Sequence, residues 1–120
     1  MRLFALRGAT TVERNTSDEI LVATETLMRE IMSRNVLEPE DVVSCLFTLT
    51  EDLDAQFPAV AARQLGFDQV PLMCAREIPV PGSLPNVIRV MHYHATEDHQ
   101  AKHVYLGEAR KLRLDLESAQ

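Results

Sequence analysis

Residues 17–34, SDEILVATETLMREIMSR, decide the layer design of this chain. Ile20, Leu21, Thr24, Leu27, Met28, Ile31 and Met32 recur at helical spacing, so the stretch predicts an amphipathic helix with one apolar stripe. Thr16, with Glu19 three residues on, forms a capping box at its start. Glu25 with Arg29, and Glu30 with Arg34, are i,i+4 pairs in the favoured order on the outer face. Asn35 is the expected stop. No other stretch predicts a helix of comparable length.

Working outward, residues 2–12 (RLFALRGATTV) are apolar and β-branched and predict a strand that bends or stops near Gly8. On the other side, Pro39 can start a helical turn, and 42–49 (VVSCLFTL) reads as a buried strand. Thr50 to Leu53 reads as a capped turn. Pro58 starts a short helix, AVAARQL, which Gly66 ends. A third strand spans 69–76, pushed toward a sheet edge by Pro71. The three prolines of 78–86 require an ordered loop, after which 87–95 and 101–106 give two further strands. From Gly107 the tail holds a few helical turns and frays at Ser118 to Gln120. The expectation is a single α/β domain over 1–120, built as an α+β layer: a five-stranded mixed sheet with one long helix and short helices. One long helix cannot cover both faces of such a sheet. The apolar content of the strands favours another subunit on the uncovered face.

Composition narrows the function. Twelve basic against eighteen acidic residues, a net charge of −6, argues against nucleic acid as a partner. The basic set is ten arginines with only Lys102 and Lys111, which suits bidentate recognition of carboxylate or phosphate. No apolar run reaches the length of a membrane span, and no signal-peptide pattern opens the chain. Cys45 and Cys74 form no metal-type pair, and the simplest expectation is a cytoplasmic protein with reduced thiols.

Individual residues then stand out. Arg7 lies mid-strand near Phe4 and Leu6, and Arg89 lies inside VIRVM. A charge so placed needs either an ion-pair partner or a cleft, and position alone leaves both open. Glu77 follows the third strand, just before the proline loop, as a solvated turn residue or a functional carboxylate. On position alone Cys74 reads as a buried apolar residue, Phe57 and Ala59 as core, Arg63 as surface and Tyr105 as a sheet aromatic. His92 and His94 share one strand face, with His99 and His103 nearby, but no acidic or cysteine partner has suitable spacing, so no metal site is expected. There is no glycine-rich phosphate loop, nucleophile elbow or CxxC. Together these residues suggest a site for a small anion.

Four segments carry a more specific signal: LRGATTVERNT (6–16), EDVVSCLFTLTEDLDAQFPAVAARQLG (40–66), VPLMCAREIPVPGSLPNVIRVM (70–91) and KHVYLGEARKLRLDL (102–116). In order and spacing they resemble the trimeric α/β class of chorismate mutase, over residues 1 to about 116. The resemblance implies a homotrimeric pseudo-α/β-barrel with an active site at each subunit interface. It implies conversion of chorismate to prephenate, on the route to Phe and Tyr, without cofactor, metal or membrane.

Residue by residue, the resemblance puts the active-site arginine of RGATT on Arg7, the C-x-x-E pair on Cys74 and Glu77, the arginine of I-R-V on Arg89 and the tyrosine of H-V-Y on Tyr105. It sets Phe57 and Ala59 against the substrate from the neighbouring subunit, with Arg63 behind them, and it places Leu112 and Arg113 in a tail that the family leaves mobile until ligand binds. Val60 stands where the family often has lysine. The implied reaction is a unimolecular [3,3] shift that needs no nucleophile and no base. Arg89 would meet negative charge growing on the ether oxygen, and Glu77 the positive character of the ring. Two other readings fit a trimer binding a small carboxylate: an imine or enamine deaminase of related architecture, and a non-catalytic sensor of a small dicarboxylate.

Overall fold

In the computed structural model, residues 1–97 and 99–112 are described. Strand β1 spans Arg2–Thr11, helix α1 Ser17–Asn35, β2 Val42–Leu49, α2 Ala59–Gln64, β3 Leu72–Arg76, β4 Val87–Thr96 and β5 Val104–Tyr105. The strands form one five-stranded sheet in the order β3-β2-β4-β1-β5. Strand β4 runs antiparallel to β1 and β2, β3 runs parallel to β2, and β5 parallel to β1. The sheet is therefore mixed, with β3 on an edge as Pro71 requires.

Helix α1 begins where expected: the Thr16 side chain accepts from Glu19 N at 3.2 Å. The return half of the capping box is altered. Glu19 reaches past Thr16 to the backbone N–H of Arg14, at 3.2 Å, and to its guanidinium, at 2.7 Å. At the other end Asn35 is the last helical residue, and Val36 takes the left-handed conformation, with φ 53°. Asn35 is buried, and its amide spends every capacity on the chain. Nδ2 donates to Ile31 O and Lys102 O, both at 2.9 Å, while Oδ1 meets Lys102 N and His99 Nε2, both at 2.8 Å.

Strand β1 does not bend or stop at Gly8; its pairing with β4 is unbroken from Arg2 to Thr11. The glycine answers a different demand. A Cβ at position 8 would lie 2.7 Å from Ile31 Cδ1 and 3.0 Å from Val90 Cγ1, so Gly8 is where the helix presses closest on the sheet. Two other strands are shorter than predicted. Strand β3 starts only after Pro71, whose carbonyl accepts from Cys45 N at 3.1 Å. Residues 101–103 precede β5 rather than belong to it, because Asn35 claims both backbone groups of Lys102.

The core lies between the helices and one face of the sheet. Leu6, Phe47, Val90 and Val104 meet Leu27, Met28 and Ile31 of α1 and Ala59 and Ala62 of α2. A second cluster joins Ile20 to Val12, Leu49, Leu53 and Ile88. The opposite face is open for most of its width in the single chain. At the β5 edge Tyr105, Ala109 of the short 3-10 turn Gly107–Lys111, and Leu112 cover Ala9. Elsewhere that face presents Leu3 and Met73, 57% and 68% exposed, together with Arg7 and Arg89.

Candidate active site

Alternation along β4 sends Ile88, Val90, His92 and His94 into the core and turns Arg89 and Met91 to the open face. The register then decides Arg89's neighbours, Ala9 on β1 and Thr48 on β2. Arg7 pairs with Met91 one step along. Arg7, Ala9, Leu46, Thr48, Arg89 and Tyr105 are among the residues that line a cavity of about 320 Å³. A larger hollow of about 650 Å³ lies at the end of α1, but its one helical arginine, Arg34, is held by Glu30 at 2.8 Å.

Glu77 extends β3 by one residue, with its N–H on Leu49 O at 2.9 Å. Its carboxylate faces Arg89: Nε lies 3.0 Å from Oε2 and 3.1 Å from Oε1. Thr48 Oγ1 donates to Oε2 at 2.8 Å. The Glu77 side chain is only 15% exposed against 45% for Arg89, so the carboxylate is the shielded partner and the guanidinium the presented one. Beyond Glu77 the proline loop walls an adjoining hollow, stiffened by Ser83, whose N–H and hydroxyl both bond Val80 O, and by Asn86, whose N–H bonds the Asp52 carboxylate. Thus the two readings of a mid-strand arginine divide. Arg89 has an ion-pair partner and lines the cavity, whereas Arg7 lines it with no carboxylate partner among the described residues.

The single chain thus gathers Arg7, Arg89, Glu77 and Tyr105, with Leu112 packed behind Tyr105 and Ala9. It does not gather the others. Cys74 pairs with Phe47 and packs on the core cluster, on the opposite side of β3 from the cavity. Ala59 is 4% exposed within the core, while Phe57 beside it is 65% exposed and lies outside the cavity. Arg63 is exposed on α2, also outside it. Arg113 falls outside the described residues. Leu46, Thr48 and Met91 line the cavity without having been singled out. Period-two alternation in β2 sets Leu46 and Thr48 on one face, but only the β2–β4 register brings them to Arg89.

The histidines build no metal centre: no group of three or more metal-ligating side chains occurs among the described residues. His92 and His94 are wholly buried beside Phe4 and His99, and none of their four ring nitrogens has a hydrogen-bond partner among the described residues. Burial, aided by the neighbouring His94, pushes His92 down to about 4. Burial likewise lowers His94, with His99 adding to it. The Cys45 thiol is pushed up to about 12 by burial, which keeps it protonated and unreactive. No helix among the described residues is long and apolar enough to cross a membrane. The site's chemistry is that of two guanidiniums and one shielded carboxylate on an apolar floor. It can bind an anion, orient it and meet charge that develops on it.

Comparison with known proteins agrees with that chemistry. A chorismate mutase of Thermus thermophilus is 51% identical over 118 residues, covering 96% of this chain and 97% of that one. A chorismate mutase of Bacillus subtilis is 46% identical over 119 residues, covering 97% and 94%. The solved structure of a chorismate mutase from Clostridium thermocellum superposes with a TM-score of 0.88 at 50% identity, covering 90% of this chain and 98% of the other. The family described as chorismate mutase type I matches residues 3–116, and the chain belongs to that family.

Proposed function

We propose that this chorismate mutase rearranges chorismate to prephenate at the Arg7–Arg89–Glu77 cluster, in a homotrimer whose subunit interfaces complete each site. The observation that carries the reading is Arg89: a guanidinium on an apolar strand, anchored through Nε by Glu77 and presented into a cavity beside Arg7, which has no carboxylate partner among the described residues. The reaction is a unimolecular [3,3] shift, so no acid, base, metal or cofactor has to supply a step. The work is to hold the reactive diaxial conformer and to meet charge separation as the ether bond breaks.

In this reading Arg89 stabilises the negative charge growing on the ether oxygen. Glu77 accepts from the substrate hydroxyl and faces the positive character of the ring. Arg7 forks onto a substrate carboxylate beside Tyr105, and Leu112 closes an apolar wall. Phe57 and Arg63 approach from the neighbouring subunit, because neither reaches the cavity of its own chain. Ala59 packs inward, which leaves Phe57 as the side chain of that segment free to extend. Arg113, following Leu112, adds a further cation. The net charge of −6 does not oppose a dianionic substrate, because charges beyond a Debye length of about 8 Å are screened. The free thiols Cys45 and Cys74 suit a reducing cytoplasm, and the product lies on the route to Phe and Tyr.

The test is turnover and KM for Arg89→Ala and Arg89→Lys, followed by the decay of chorismate absorbance. Loss of one preorganised oxyanion donor costs about 10²–10³ in rate, so both variants should lose turnover far more than binding. Lysine should not rescue fully, because a point charge lacks the planar fork. Near-wild-type turnover with only a raised KM would make Arg89 a binding residue and overturn the assignment.

A further inference from the structure

The Glu77 carboxylate has a third contact that the assignment above does not use. Thr48 stands on the open face of β2, opposite Arg89 in the register, and its hydroxyl donates to Glu77 Oε2 at 2.8 Å. Oε1 accepts instead from Arg89 Nε, at 3.1 Å, and Nε also lies 3.0 Å from Oε2. Each carboxylate oxygen therefore accepts one hydrogen bond, from a different residue, and each keeps a free acceptor position.

The second anchor matters because a glutamate's terminal torsion is soft. Left alone beside an arginine, a carboxylate turns toward the two-point fork that uses the guanidinium's outer nitrogens. Those are the nitrogens a developing oxyanion must use. Thr48 is a suitable brake. Its β-branched side chain is stiff, and its strand is hydrogen-bonded on both sides, to β3 and to β4. We propose that Thr48 is a positioning residue for the rearrangement. It locks the Glu77 carboxylate so that Arg89 is held through Nε alone, with its Nη groups left for the ether oxygen, and so that a free acceptor position of the carboxylate faces the substrate hydroxyl. The proposal rests on the roles given to Glu77 and Arg89 above.

Thr48→Val keeps the shape and removes the donor. A hydrogen bond to a charged group is worth enough to expect a turnover loss of roughly tenfold, with KM changed by less than about twofold. Thr48→Ser, which restores the hydroxyl, should recover most of that loss. The separating measurement is the cycle with Glu77→Gln, with folding and oligomeric state checked for each variant. If Thr48 acts through the carboxylate, Thr48→Val costs little or nothing further in the Glu77→Gln background. Thr48→Ala provides a second deletion should the valine variant fold poorly. Wild-type turnover in both deletion variants overturns the proposal, and so does the same loss with and without Glu77. If Glu77→Gln itself keeps full turnover, the role of Glu77 fails first and the proposal falls with it.

Discussion

His92 is the residue whose burial has the plainest cost. Its ring sits in the core without a hydrogen-bond partner among the described residues, and burial lowers it to about 4 from the usual 6.5. Between those values the unfolded chain binds a proton that the native chain refuses, so stability falls as pH drops from about 6.5 toward 4 and levels off below. The shift corresponds to a loss on the order of 3 kcal/mol across that window. His92→Leu removes the titration and should flatten the acid decline, leaving only the part due to His94. Urea unfolding at pH 7 and pH 5, at fixed protein concentration, measures the difference; an unchanged slope would show that His92 does not set it. At this scale the sequence was most legible where a residue is out of place. Arg7, Arg89 and Glu77 announce themselves because charge inside or beside an apolar run needs a reason. Thr48 does not, since threonine is at home in any strand, and its neighbour on β3 is visible only once the strands are aligned.

Among the elements, the long helix and β2 fall where periodicity places them, and β4 runs one residue past its expected end, while the misreadings have local causes. A glycine in a strand signals either a break or a close approach, and nothing in the sequence around Gly8 distinguishes them. The cause lies 23 residues away on α1, in Ile31. That origin makes a specific prediction. Gly8→Ala should destabilise by about 1–2 kcal/mol, as overpacking does. Ile31→Val, which deletes the Cδ1 atom 2.7 Å from the new Cβ, should cost about 1 kcal/mol alone yet recover stability in the Gly8→Ala background. Equilibrium unfolding of the four proteins decides it, and simple additivity would contradict the close-approach explanation. Likewise, β3 starts late because Pro71 has no N–H to give the ladder, and β5 because Asn35 binds both backbone groups of Lys102. Capture by a distant side chain leaves no periodic trace.

For the molecule as a whole, the open sheet face is the dominant feature. Leu3 and Met73 are exposed on it, and Ile78 and Phe57 are exposed elsewhere on the surface. The homotrimer proposed above would cover that surface and bring Phe57 of one chain toward Arg89 of the next, in a head-to-tail ring. Mixing tests it directly. Chains carrying Arg89→Ala and chains carrying Phe57→Asp should each be weak, yet co-refolded they should regain about a quarter of wild-type activity, the share of boundaries that pair two intact halves at random. No gain on mixing, or a stable active monomer by sedimentation, would refute sites shared between chains. The half of the site on one chain was readable from its own residues. The half proposed for a neighbour rests on family resemblance alone, because no pattern within a chain encodes the register between chains.

Asn35 carries a consequence for how such a protein ages. Its amide joins the end of the long helix to the segment that leads into Tyr105, using two donors and two acceptor positions. Hydrolysis of that amide to the acid would keep the shape but abolish both donors, and the carboxylate would then confront the carbonyls of Ile31 and Lys102. The damage would begin at a helix end and be felt at the tyrosine edge of the active site, as lost turnover in a protein still folded. The same packing delays it: the attacking group in deamidation is the next backbone nitrogen, and that of Val36 is already engaged with Ser33 O at 3.3 Å. Storage lifetime, in this fold, is guarded by the hydrogen bond that closes its longest helix.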